Sequence, residues 1–98
     1  MSKVKCEITY PSQLISKIGE FEINHKESNE KIKESGCLIV TNNNINVDIM
    51  LHVVGILFGP KNAKCYMDVY VDGEKVNSTP IESKFKKESG IQLFNWMA

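Results

Sequence analysis

Ninety-eight residues suffice for one domain with one core, and 42% apolar with 24% charged residues is the balance of a folded chain, not a disordered one. Twelve basic residues offset twelve acidic ones, and every basic residue is a lysine. A neutral chain without arginine lacks the planar fork that reads base edges and clamps phosphates, so the composition argues against nucleic-acid recognition.

Lysine used alone, beside abundant Asn and Ile, is what an AT-rich coding sequence produces, and it points to a bacterium, phage or large virus as the source. The opening stretch MSKVKCEITYPSQLISK has no apolar h-region and no small-residue cleavage site. The longest uncharged run, Ile49 to Pro60 with His52 inside it, has twelve residues, short of the roughly 20 apolar residues that a spanning helix needs. Three cysteines, Cys6, Cys37 and Cys65, are odd in number and widely spaced, so they do not form a disulfide framework. A cytoplasmic protein without membrane contact is expected.

Lys3 to Tyr10 alternates with Val4, Cys6, Ile8 and Tyr10 on one side, which predicts a half-buried strand ended by Pro11. Ser12 suits a helix N-cap, Gln13 to Ile18 predicts one or two helical turns, and Gly19 suits the C-cap. Glu20 to His25 alternates again, with Phe21, Ile23 and His25 together. Lys26 to Gly36 is polar apart from Ile32 and reads as a loop or ribbon. Within it, Ser28-Asn29 is a turn candidate that would join Phe21–Lys26 to Lys31–Glu34.

Cys37 to Thr41 predicts a short strand, and Asn42-Asn43-Asn44 a turn. From Ile45 to Phe58 one strand is expected whose character changes along its length. Ile45, Val47, Ile49 and Leu51 alternate with polar residues, but from Met50 onward Val54, Ile56 and Phe58 make the second face apolar too. Such a strand is either enclosed by the fold or offers its second face to a partner or ligand. Gly55 inside it marks a bulge or a close backbone approach. After a Gly59-Pro60 turn, Ala63 to Val71 puts Cys65, Met67, Val69 and Val71 opposite Tyr66, Asp68 and Tyr70. Asp72-Gly73 is a hairpin dipeptide with Glu74 to Val76 returning. Ile81 to Lys86 alternates around Phe85, Glu88-Ser89-Gly90 turns, and Ile91 to Trp96 ends the chain with Ile91, Leu93 and Asn95 opposite Phe94 and Trp96.

About eight short strands without helical crossovers predict a single all-β domain over 1–98. It is a small antiparallel β-sandwich or partly open barrel with at most one short helix. Chemistry is sparse. Cys6, Cys37, Cys65, His25 and His52 form no paired spacing that would seed a metal site. A triad drawn from Cys37 or Cys65 with His52 and Asp48 lacks any local device to activate the thiol. Cys6 and Cys65 fall on core faces, where cysteine packs as a small hydrophobe, and His52 falls on the strand's polar side, partly exposed. No cofactor is implied.

What remains is surface for binding. Tyr66 and Tyr70, with Phe94 and Trp96, would form an aromatic patch of the kind enriched at interfaces. Alternatively, the latter two face the core. Val54, Ile56 and Phe58 are the second apolar face. The uncharged C-terminal strand must lie inside a sheet or pair with another subunit. Lys84, Lys86 and Lys87 form a small basic knob that could hold an anion. The expected role is non-enzymatic binding or assembly, through a protein partner or self-association. The alternatives are a small-molecule-binding barrel closed by Tyr66 and Tyr70 and, last, a cysteine- or metal-dependent enzyme.

Overall fold

A computed structural model describes residues 1–10, 17–27, 30–34, 37–58, 65–86 and 91–98. The strands are β1 (Ser2–Thr9), β2 (Lys17–Ile23), β3 (Lys26–Glu27), β4 (Glu30–Glu34), β5 (Cys37–Ile45) and β6 (His52–Phe58). They continue with β7 (Tyr66–Val71), β8 (Glu74–Lys75), β9 (Ile81–Glu82), β10 (Lys84–Lys86) and β11 (Ile91–Met97). They build two antiparallel sheets of a β-sandwich, not a closed barrel. Sheet A has the order β4-β5-β1-β7-β8 with β9 also on β7, and sheet B the order β10-β11-β6-β2-β3. Among the described residues no helix is long and apolar enough to cross a membrane.

The alternation in β1 does what its period dictates. Val4, Cys6 and Ile8 are fully buried and stand opposite Val71, Val69 and Met67 of β7. Cys6 and Ile8 stand opposite Val40 and Leu38 of β5. Residues directly opposite in an antiparallel pair share a face, so these rows form one wall of the core. Sheet B supplies the other wall with Phe21, Ile23, Val53, Leu57 and Phe94, all fully buried. Gly55 lies at the centre of this wall, opposite Phe94 on one side and Phe21 on the other. A Cβ added there would clash with Cδ1, Cε1 and Cζ of the Phe21 ring, the last at 2.6 Å. The glycine thus marks a close approach, and the aromatic ring occupies the space that its missing side chain leaves.

The chain changes sheet five times, between β1 and β2, β3 and β4, β5 and β6, β6 and β7, and β9 and β10. Ser83, buried, separates β9 in sheet A from β10 in sheet B. Its amide donates to the Cys65 carbonyl (2.9 Å) and its Oγ accepts from the Cys65 amide (3.1 Å). Hydrogen bonding both backbone groups of Cys65 is what lets the chain turn inward without leaving buried polar groups unpaired. At the opposite edge β3 lies in sheet B and β4 in sheet A, and Asn42 Nδ2 of β5 donates to the Glu27 carbonyl of β3 (3.3 Å).

Several expectations are corrected. Lys17 and Ile18, expected to be helical, begin β2, and Gly19 is inside that strand. A Cβ on Gly19 would meet the Ile56 carbonyl at 2.9 Å, so this glycine serves close packing against β6, not helix capping. The hairpin turn after Ile23 is Asn24-His25, both with positive φ (51° and 64°), because Ile23 pairs with Lys26. His25 therefore sits exposed in a turn, not on the Phe21 face. β4 pairs with β5 instead of β2. Asn42–Asn44 does not end a strand. β5 runs to Ile45 with a bulge, since Val4 stands opposite Asn42 and Ser2 opposite Ile45. The Asn42 carboxamide stabilises the bulge by accepting from the Asn44 amide (3.0 Å).

The expected single strand over Ile45–Phe58 is two strands and a loop. β5 ends at Ile45, 46–51 is irregular, and β6 starts at His52. Asn46 Oδ1 accepts from the Asp48 amide (3.0 Å), a side-chain turn that competes with strand formation. The Asp72-Gly73 hairpin is as read, with both residues at positive φ (49° and 87°). Asp72 also ties the hairpin to β1. Its amide donates to the Lys3 carbonyl and its carboxylate accepts from the Lys3 amide (both 2.9 Å), a bond that holds the acid below the ordinary carboxylate range. The helix expected at Gln13 to Ser16 lies outside the described residues, as do the Ser28-Asn29, Gly59-Pro60 and Glu88-Ser89-Gly90 turns and Ala63, expected to start the next strand.

Gly55→Ala forces either the Phe21 ring or β2 to move. Overpacking of this kind costs up to about 3 kcal/mol, so Tm should fall by more than about 10 °C for a domain of this size. Phe21→Leu in the same chain should recover part of that loss, because the two sites share one space. A Gly55→Ala protein that melts with the wild type would contradict the packing.

Candidate functional site

The two sheets differ in what they show to solvent. On sheet A, the outer face of β1 and β7 is largely polar and pairs charges within itself, while β5 adds half-buried Ile39 opposite Glu7. Lys5 Nζ lies 3.1 Å from Glu7 Oε1 and 4.8 Å from the centre of the Tyr70 ring. Lys75 Nζ lies 3.3 Å from Asp68 Oδ1, which also accepts from Asn77 Nδ2 (2.9 Å). Tyr66 is 42% exposed at the end of this face.

On sheet B, the outer face is apolar at its centre. Inner positions of β6 are Val53, Gly55 and Leu57, so the two-residue period turns Val54, Ile56 and Phe58 outward. Their partners in β11 are Asn95, Leu93 and Ile91. All five apolar residues are half-buried, and Met97 beyond them is 62% exposed. No described strand lies over this surface. Its margins carry charge. Lys84 of β10 stands opposite Leu93, and Glu22 of β2 stands opposite Val54 and, on its other side, opposite Glu27 of β3.

These placements sort the candidate binding residues. Val54, Ile56 and Phe58 share one outer surface. Phe94 is fully buried and Trp96 packs against the core, so they lie on the inner side of sheet B. Tyr66 and Tyr70 are on the outer side of sheet A and form no common patch with either group. They also cannot close a pocket over Val54, Ile56 and Phe58. Lys84 and Lys86 are in β10, opposite Leu93 and Ile91, and Lys87 lies outside the described residues. β11 is inside its sheet, between β10 and β6, so its lack of charge follows from being covered on both edges.

One feature that sequence reading missed is the use of asparagine. Asn24 Oδ1 accepts from the His52 amide (2.7 Å), and its Nδ2 donates to the carbonyls of Met50 (2.7 Å) and Asn46 (3.0 Å). It holds both ends of the 46–51 loop to the β2–β3 turn. Asn77, buried, does the same for the segment after β8. Its Oδ1 accepts from the Val69 amide (2.8 Å) and its Nδ2 donates to the Thr79 carbonyl (2.8 Å) as well as to Asp68. The Asn24 clamp leaves a pocket of about 310 Å³ lined by Asn24, Lys26, Ile45, Asn46, Ile49 and Met50, with Ile49 93% exposed at its lip.

Two of the thiols, Cys6 and Cys65, are buried in the core. Burial pushes the Cys6 thiol up to about 12 and the Cys65 thiol up to about 11, the latter against a lowering hydrogen bond from Ser83. An activated cysteine needs the opposite shift. His52 Nε2 is 2.7 Å from Asn95 Oδ1, and its ring stands edge-on to His25 at 5.6 Å. Among the described residues no three His, Cys, Asp or Glu side chains converge as a metal site would require. Burial, with Cys37 and Cys65 nearby, raises the Tyr10 phenol. Comparison of the chain with protein-family models, curated proteins and solved structures finds no match.

Asn24→Ala removes three hydrogen bonds and places a Cβ-only side chain in left-handed backbone. A loss of about 2 kcal/mol is expected, read by denaturant unfolding, with faster exchange of the His52 amide; a change below about 0.5 kcal/mol would show that the clamp is idle. At pH 8 a thiol reagent should modify one cysteine of the folded protein, Cys37, and reach Cys6 and Cys65 only on unfolding. Two fast thiols in the native state would contradict their burial.

Proposed function

We propose that this chain acts by binding, not by catalysis, as a self-associating assembly protein whose contact surface is the outer face of sheet B. One observation carries the reading, the asymmetry between the two outer faces. Sheet A pairs its own charges, whereas sheet B turns Val54, Ile56, Phe58, Ile91 and Leu93 outward around an uncharged centre. A domain of this size can bury every large side chain of a central strand's inner face, but a second apolar row on the same strand stabilises nothing unless something covers it. An uncharged centre with a charged margin is also the anatomy of protein interfaces. Zero net charge and the absence of arginine support a protein partner over nucleic acid. Three cysteines, an odd number at wide spacing, suit a cytosolic place of work.

A second reading, small-molecule binding, rests on the 310 Å³ pocket beside Asn24 and Lys26. The two readings differ in solution mass. Light scattering at tens of micromolar should give the mass of two chains for the wild type and of one chain for Leu93→Glu. Tyr66→Glu on sheet A should leave it at two. A wild-type mass of one chain would overturn self-association and leave the pocket reading. Loss of mass with Tyr66→Glu but not with Leu93→Glu would move the interface to the other sheet.

A further inference from the structure

The β2–β3 hairpin turn holds an imidazole where a glycine would be easier. Asn24 and His25 have φ of 51° and 64°, and the Asp72-Gly73 turn also has positive φ at both residues. Glycine is the favoured second residue of such a turn, because it carries no Cβ into left-handed backbone. The chain follows that preference at Gly73 and sets it aside at His25. Backbone strain of this kind persists where a site uses it. Here the strained residue stands against a second imidazole, with the His25 and His52 ring centres 5.6 Å apart.

That spacing fits two imidazoles on one metal ion. A ring nitrogen binds at about 2.0–2.1 Å, which puts the ring centre about 3.2 Å from the ion. Two such rings lie about 5.2–5.5 Å apart at tetrahedral to trigonal angles. His52 is already oriented as a ligand, with Nε2 2.7 Å from Asn95 Oδ1. An amide oxygen only accepts, so Nε2 donates and the neutral ring has its lone pair on Nδ1. Ligating histidines are held in this way, by a hydrogen bond from the nitrogen that does not bind the metal. His25 is exposed, so its ring turns about χ2 without disturbing the core. The third group is Met97, directly opposite His52 in β11 and 62% exposed. Residues so paired have Cβ atoms about 5 Å apart, within reach of a thioether on a flexible stem.

The donor set selects the ion. Zinc asks for four ligands, and among the described residues no carboxylate or thiol joins the two imidazoles. A thioether is a soft ligand, and beside imidazole it suits copper(I), which two or three ligands satisfy. We propose that His25, His52 and Met97 bind one copper(I) ion. The site lies at the end of the apolar face and within one chain, so it stands whether or not two copies associate.

The test is competition for copper(I) between the protein and a colorimetric chelator, in anaerobic buffer with ascorbate. One ion per chain should bind. His25→Gly and Met97→Leu should each weaken binding by roughly tenfold or more, and Asn95→Ala by about tenfold, the usual effect of releasing a ligating histidine. His25→Gly also relieves the strained turn, so its Tm should hold or rise while binding falls, which separates a lost ligand from a lost fold. Half-exposed Cys37 is a competing soft ligand, but it belongs to β5 in sheet A, away from the two histidines. Cys37→Ser should therefore bind as the wild type does. Binding lost with Cys37→Ser, or kept at wild-type strength in His25→Gly or Met97→Leu, would overturn the site.

Discussion

The Phe21 ring resting on Gly55 is the contact that the rest of sheet B depends on. Three inner positions lie in one row, Phe94, Gly55 and Phe21, on β11, β6 and β2. The Phe21 ring fits over this strand only because Gly55 has no side chain. Once Gly55 faces inward, the pleat places Val53 and Leu57 inward with it, both fully buried, and gives Val54, Ile56 and Phe58 no choice but the outer face. A slip of one residue would bring those three into the core and expel the aromatic slot, so register and surface character are set together. The apolar outer face is in this sense a consequence of how the core is packed.

The outer surface of sheet A shows what this protein does with a face that water covers. Lys5 is shared between Glu7 and the Tyr70 ring, and Asp68 between Lys75 and Asn77. Each such surface pair contributes little to stability, of the order of 1 kcal/mol or less. Their value is that these four charged groups need no partner from outside the chain. Sheet B has the opposite arrangement, an apolar centre on β6 and β11 bordered by charged residues on β2, β3 and β10. The proposed self-association joins these facts, since it covers the apolar centre that a single copy leaves to solvent.

The strands with strict two-residue alternation were legible from sequence, because burial on one side is a local signal. β1, β7 and β11 follow their patterns, and the Asp72-Gly73 turn follows from its dipeptide. The places where local reading failed involve asparagine. Asn42–Asn44 looks like a turn but forms a bulge within β5, and Asn24-His25 looks like the end of a strand but is the hairpin turn itself. Asn24 acts on residues 22 to 28 positions away, and no window along the chain can encode that. The 45–51 alternation misled for the same reason, since the Asn24 and Asn46 carboxamides use its backbone groups before a strand can. For the candidate surface, the second apolar row of β6 was visible as residue types. The separation of Tyr66 and Tyr70 from Phe94 and Trp96 was not, because it depends on which sheet each strand joins, a long-range choice.

The most direct measurement is isotope-filtered NMR on a sample assembled from equal amounts of carbon-13-labelled and unlabelled chain, which reports only contacts between copies. A dimer built on sheet B gives intermolecular contacts from the Val54, Ile56 and Leu93 methyl groups, and none from Val4, Val40 or Val69 in the core. Contacts arising instead from the outer face of sheet A, or an associated protein in which those three methyl groups contact nothing in the other copy, would contradict the assignment of this face.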